Sequence, residues 1–339
     1  MQAGRMLGAV ITLAGLAVPP VLAPRASAQA GVPEKGTGDI SVAYQNFYTA
    51  EHTLGDGSRV NSGKIRVNGM VHALDFGLTD KLALSVSLPY GWGKYTGPVP
   101  HQLPIDNGDY HVTAQDWNLG LRYNVRTRPL QVTPFFRMIL PSHGYEHFAH
   151  SAVGSRLHEA QFGIAVGRRL SPFLLNAYFQ ARYSFSVTTE RLADVRPLRS
   201  RFDAEFGYLL TRRLAVRGVL LTLFSHNGYN FPQDYPVAQR IPSNDRWVHH
   251  DQVSQVDSVN AGGGVSFELT PNWSVYSSVI RTAWGTNQHA LASGLSIGMS
   301  WSFRTRLADR PQSATPDAQA MASARSKVMD MQAPLCPLH

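Results

Sequence analysis

Three groups of side chains in this sequence have the types and spacing to do chemistry. The densest is His143-Gly-Tyr-Glu146-His147-Phe-Ala-His150, and His249-His250-Asp251 forms a second cluster. Imidazole and carboxylate groups are ligands for zinc or copper. A polar loop rich in histidine accounts equally well for both runs, so no metal ligand is assigned. The second group would be a nucleophile with its base. A barrel enzyme acting on lipid needs a His-x-Ser pair, because positions two apart on a strand share a face. No His-x-Ser occurs in the chain, and its Ser, His and Asp residues are scattered. No catalytic residue and no cofactor are expected.

The third group is electrostatic. Asp116, Asn118, Gly120 and Arg122 alternate with Trp117, Leu119, Leu121 and Tyr123. Asn176, Tyr178, Gln180 and Arg182 alternate with Leu175, Ala177, Phe179 and Ala181. Arg201, Asp203 and Glu205 alternate with Phe202, Ala204, Phe206 and Tyr208. A period of two signals strands with one apolar and one polar face. The same rule places Arg66, Arg137, Glu159, Arg217 and Glu268 on polar faces. If the apolar faces meet lipid, these polar groups line a lumen. Mixed charges there set up a transverse field, and a surplus of arginine favours anions. They could equally pair with one another and plug the interior.

The stretch that organises these strands is Ala290–Phe303. Leu295, Ile297, Met299, Trp301 and Phe303 share one face, while Ser296, Gly298, Ser300 and Ser302 share the other. In a transmembrane barrel the apolar face looks out at lipid and the small polar face looks in. The spacing Ser296-x-Gly298-x-x-Trp301-x-Phe303 is similar to the terminal signal read by the barrel-assembly machinery.

Composition narrows the class. The chain has 339 residues, 43% hydrophobic and only 16% charged. After residue 30 nothing approaches the ~20 consecutive apolar residues a membrane helix needs, which excludes a helical membrane protein. Residues 1–28 read as a secretory signal peptide, with Arg5, an apolar Leu7–Leu22 and the cleavage motif Ala26-Ser27-Ala28. The net charge of +8 is modest and comes with no Lys/Arg run, so nucleic acid is not an expected partner. The single cysteine, Cys336, excludes an internal disulfide.

Short turns alternate with long loops. Leu78–Lys81, Arg126–Pro129, Leu170–Pro172, Thr211–Arg213 and Thr270–Asn272 read as tight hairpin connections. Three share a pattern: Leu78-Thr79-Asp-Lys-Leu82, Leu210-Thr211-Arg-Arg-Leu214 and Leu269-Thr270-Pro-Asn-Trp273. Between the connections lie twelve expected strands, near 38–48, 63–77, 81–91, 112–125, 130–141, 156–168, 173–187, 199–210, 213–224, 257–269, 272–285 and 289–303. Most reach the ~9–11 residues of a tilted membrane strand. An even count puts both termini and the short turns in the periplasm. The long connections 49–62, 92–111, 142–155, 188–198 and 225–256 then face outside. Pro134 is discordant inside a strand and would require a bulge. Tyr90, Trp92, Trp117, Tyr123, Trp273, Trp284, Trp301 and Phe303 lie near strand ends, as interface girdles would. Residues 304–339 lack alternation and read as a flexible periplasmic tail.

Four stretches resemble the outer-membrane family associated with the meta-pathway of phenol degradation. They are Phe76-Gly-Leu-Thr-Asp-Lys-Leu-Ala-Leu-Ser-Val-Ser-Leu-Pro-Tyr90, Asp116-Trp-Asn-Leu-Gly-Leu-Arg-Tyr123, Ile139-Leu-Pro-Ser142 and Leu295–Phe303. The resemblance spans residues 38–303 and implies a barrel that moves small, often aromatic, compounds. It supplies no catalytic residue. The expectation is an all-β protein: a signal peptide over 1–28, an antiparallel transmembrane barrel of about twelve strands over 29–303 and a disordered tail. Its expected partners are outer-membrane lipid, the assembly machinery and a small-molecule substrate. A structural or surface-binding barrel with a plugged lumen is the alternative.

Overall fold

The computed structural model describes residues 26–27, 30–97, 106–148, 150–170, 173–174, 176–230, 243–309 and 324–325. Most of the expected signal peptide and tail, together with Leu175, lie outside the described residues. The barrel strands are β1 (Thr37–Thr53), β2 (Arg59–Gly77), β3 (Leu82–Thr96) and β4, in two pieces (His111–Ala114 and Asp116–Tyr123). They continue as β5 (Gln131–Pro141), β6 (Glu159–Arg169), β7 (Ala177–Thr188), β8 (Leu198–Leu209) and β9 (Leu214–Ser225). Two one-turn helices follow, α1 (Asp245–Val248) and α2 (His250–Val253). The last strands are β10 (Asp257–Thr270), β11 (Trp273–Thr286) and β12 (Gln288–Arg304). Every strand pairs antiparallel with its sequence neighbours, and β12 pairs with β1 from Gln288–Thr53 to Arg304–Thr37. The sheet is a closed twelve-stranded barrel. Closure leaves no free edge, so each strand is paired on both sides within the wall.

Alternation fixes the two faces. On β12, Ile297, Met299 and Trp301 are exposed while Ser296 and Ser300 are buried. Trp273 stacks on Trp301, Trp301 packs on Phe303, and Phe303 stacks on Phe76, forming an aromatic band at the short-turn end. The repeated turn pattern has a local cause. Thr79, Thr211 and Thr270 each accept two turn amides on the side-chain hydroxyl: Lys81 and Leu82, Arg213 and Leu214, Asn272 and Trp273. One hydroxyl thus satisfies two amides that the hairpin would otherwise leave to solvent.

Two prolines shape the wall. Pro89 has no N–H to donate, and β4 breaks opposite it at Gln115, whose own amide donates to the Pro89 carbonyl at 2.9 Å. Pro134 sits in register with Ile164 on the β6 side. Toward β4 it falls between the Arg122–Phe135 pair and the Arg126–Val132 bridge, where residues 123–125 oppose 133–134, so the expected bulge lies opposite the missing donor.

The short-turn end is partly crossed from within the chain. Gly36 donates to the Gly77 carbonyl at 2.8 Å, and the segment before it runs to Ala30, which is fully buried. Thr133 on β5 donates its hydroxyl to the Ala30 carbonyl at 2.6 Å. The first residues of the expected tail are structured: Arg306–Asp309 forms a 3₁₀ turn, and Thr305 donates to the Gly36 carbonyl. Outside the barrel, Ala26–Ser27 pairs in parallel with Ala324–Arg325.

Candidate channel lumen

The inner face has two unlike walls. Strands β4 to β9 carry Arg122, Arg137, Arg169, Arg182, Arg199, Arg201 and Arg217 at inward register positions. Arg122 Nη2 reaches both oxygens of Asp75 at 2.7 and 2.6 Å, and Arg182 reaches Asp203 Oδ2 through Nε and Nη2 at 3.2 and 2.6 Å. Tyr178 donates to Glu205 Oε1 at 2.8 Å. Arg122, Arg137 and Arg182 converge on one cleft with Ser85, Phe135 and Ala165. Arg217 is buried with Nε and Nη2 unbonded, and its Cζ lies 5.9 Å from the centre of the Tyr276 ring. The facing wall, from β10 through β12 and β1, presents Ser258, Asn260, Ser278, Thr282, Ser296, Ser300 and Gln45, with the carboxylates Glu268 and Asp39 toward its short-turn end. Arginine therefore faces mainly hydroxyls and amides across the interior.

The long-loop end is filled. Residues 142–158 turn inward and place Val153 in an apolar cluster with Val67, Val71, Tyr95 and Tyr276. Room for this approach comes from two glycines: a Cβ on Gly93 would lie 2.1 Å from the Ser151 carbonyl, and one on Gly91 would lie 3.1 Å from Val153. The loop is anchored to the wall at Asp116. Tyr145 donates to Asp116 Oδ1 at 2.5 Å, and Ser155 donates to Oδ2 through its hydroxyl at 3.1 Å. Burial and the neighbouring Asp116 push the Tyr145 phenol far above its ordinary pKa, so it stays a donor. The helix α2 is tied in by Gln252, which donates to the Ser155 carbonyl and accepts Arg199 Nη2 on its own carbonyl, both at 2.9 Å.

Solved structures of similar fold include outer-membrane channels. The COG4313 outer membrane channel from Pseudomonas putida F1 superposes with a TM-score of 0.63 at 14% identity, covering 81% of this chain and 98% of that one. The NanC porin reaches 0.49 at 9% identity, over 77% and 98% of the two chains. The KdgM porin reaches 0.40 at 8% identity, over 78% and 99%. The chain has the fold of an outer-membrane β-barrel. No family model and no curated protein sequence matches it.

Within this channel-type barrel the residues anticipated for the interior separate clearly. Asp116, Asn118, Arg122, Glu159, Gln180, Arg182, Asp203, Glu205 and Arg217 are buried on the inner face. Arg137, Arg201 and Glu268 occupy inner register positions but are half-buried. Arg66 corrects the expectation: it is exposed on the outer face, with Cζ 4.8 Å from the Tyr48 ring centre. The alternation rule sends the apolar face of β2 to lipid and Lys64, Arg66 and Asn68 to the lumen; the structure reverses it, and Ile65, Val67 and Val71 turn inward, where they seat Val153 of the inserted loop. Alternation separates the two faces of a strand without saying which of them looks inward. Asp75 and Arg199 are inner-face charges that the alternation rule passed over. The sequence carried a signal for both, since Asp75 shares parity with Val71, and Arg199 with Asp203.

The histidine clusters also separate. His147 stacks on His249 at 5.4 Å, whereas His150 stacks on Tyr95 at 4.5 Å. His143 packs against Tyr145. Among the described residues no group of three His, Cys, Asp or Glu is placed to hold a metal ion. The two loops meet through these rings instead.

Proposed function

We propose that the protein is an outer-membrane channel for small molecules, selective for anions, with a gate at its outer mouth. The observation that carries this reading is the two-walled interior, in which seven arginines from six consecutive strands outnumber the carboxylates Asp116, Glu159, Asp203 and Glu205 among them and face mainly hydroxyl and amide groups. Such a surface binds water and small polar solutes, and its cationic wall favours anions. The orientation follows from the loops, with short turns in the periplasm and the inserted loops outside. Residues 1–28 direct export, and the terminal strand β12 is the element the assembly machinery reads. The stretches that resemble the phenol-degradation family favour aromatic compounds among the cargo.

A plugged structural barrel is the second reading, favoured by the Arg122–Asp75 and Arg182–Asp203 pairs and by the anchored loops. Planar-bilayer recording separates the two. A channel gives small conductance steps that grow when residues 146–154 are replaced by a short Gly/Ser linker. Silence in both the parent and the shortened protein defeats the channel.

A further inference from the structure

On the outer face of β1, β2 and β3, the residue types change in steps toward the long-loop end. Register sets three side chains abreast at each level. Val42, His72 and Leu88 form one level, and Tyr44, Met70 and Tyr90 the next. Above them lie Asn46, Asn68 and Trp92, with Tyr44 Oη and Asn46 Nδ2 both donating to Asn68 Oδ1 at 2.8 and 2.5 Å. The following level is Tyr48, Arg66 and Lys94, and Lys64 stands two residues beyond Arg66. On the other side, Tyr48 pairs with Ser293 of β12, and exposed Arg281 on β11 lies one residue past the Ile280–Gly294 pair. Continuing that register by one residue puts Arg281 in the same row as Arg66 and Lys94. At ~4.8 Å per strand, this row of cations spans about 19 Å of the wall.

The cations are held outward by rings and an amide. Arg66 lies over Tyr48 and donates Nη1 to Asn46 Oδ1 at 3.1 Å, while Lys94 Nζ lies 5.5 Å from the Tyr110 ring centre. Among the described residues, none of Lys64, Arg66, Lys94 and Arg281 is paired with a carboxylate. A cation on a lipid-facing wall costs ~2–4 kcal/mol at mid-bilayer and little near the interface. Lys64, Arg66 and Lys94 above the aromatic level therefore mark the height at which lipid headgroups begin, and a headgroup phosphate there would supply a counter-charge that the described residues do not.

We propose that this face binds the phosphate groups of an outer-leaflet glycolipid. Acyl chains lie against Val42, Leu88, Met70 and Tyr90, sugar hydroxyls meet Asn46 and the Trp92 indole, and phosphates meet Arg66, Lys94 and Arg281. Guanidinium binds phosphate through paired N–H donors, which gives the contact direction as well as charge. The site depends on the membrane orientation given above and is independent of whether the lumen conducts.

Native mass spectrometry of the full-length mature barrel in detergent tests it, with diphosphorylated lipid A, the same lipid stripped of phosphate, and inorganic phosphate as probes. Lipid A should be retained, and the stripped lipid should bind about tenfold more weakly or worse. The R66Q/K94Q/R281Q variant should lose lipid A by a similar factor while keeping its unfolding midpoint and its KCl conductance. Equal retention of both lipids by the unaltered protein overturns the proposal without recourse to any variant. Displacement of lipid A by millimolar inorganic phosphate would assign the site to the free anion and also overturn it.

Discussion

Tyr145, on a loop between β5 and β6, donates its phenolic hydroxyl to Oδ1 of Asp116 on the barrel wall at 2.5 Å. Arg156 donates its backbone amide to the same phenolic oxygen at 2.6 Å, so this one ring ties both limbs of the loop to the wall. A hydrogen bond to a charged acceptor contributes ~1.5–3 kcal/mol, roughly a tenfold or larger shift in the docked population. Tyr145→Phe should therefore raise the open fraction in single-channel recordings by about tenfold, and Asp116→Asn by at least as much. Unchanged open probability in both variants would mean that the loop is held by its apolar seat alone.

Gly93 provides an independent handle on the same loop. Its inner face touches the Ser151 carbonyl so closely that a methyl group would lie 2.1 Å from that oxygen. Gly93→Ala should displace the loop while leaving the β3 ladder to β2 and β4 intact. The expected result is higher conductance with a heat-modified gel mobility like that of the parent. Loss of the folded band would show that the strand, and not the loop, needed the glycine.

Ion preference should follow the arginine wall. Removing Arg182 also frees the Asp203 carboxylate it holds at 2.6 Å, so the local charge changes by more than the lost cation would suggest. Arg182→Gln with Arg201→Gln should move the reversal potential across a KCl gradient toward cation preference. An unchanged potential would place the ion path away from β7 and β8.

Topology can be read on whole cells. In a Cys336→Ser background, a cysteine at exposed Gly144 should react with an impermeant maleimide, and one at exposed Asp80 should not. The opposite pattern would invert the barrel in the membrane.

Acid should loosen the outer loops. Burial lowers the pKa of His147, its stacked partner His249 and Arg156 lower it further, and Glu146 and Asp251 act in the opposite sense. The docked loop thus binds fewer protons than the released loop. Docking is favoured above the ordinary histidine value of ~6.5 and weakens as pH falls from there toward the lowered value. Open probability should rise from about pH 6.5 to 5, and His147→Phe, which removes the titrating group while keeping a ring to stack on His249, should flatten that rise. A profile that is flat in the parent would exclude His147 as the titrating group.

Much of the architecture was legible in the chain because alternation is local. A strand's two faces are set by residues two positions apart, so Ser296 and Ser300 could be opposed to Ile297 and Met299 without knowing any neighbour. The Leu-Thr-x-x-Leu turns were equally local, since one threonine hydroxyl closes each of them. What alternation could not decide was whether the apolar face of β2 looks outward or inward. That depended on Val153, more than eighty positions away, entering the lumen and turning Val67 and Val71 toward it. Arg66 went outward with the opposite parity for the same reason. The pairing of Arg122 with Asp75, the anchoring of Tyr145 at Asp116 and the burial of Ala30 against Thr133 likewise join segments far apart in sequence. Closure of the barrel is what brings them together.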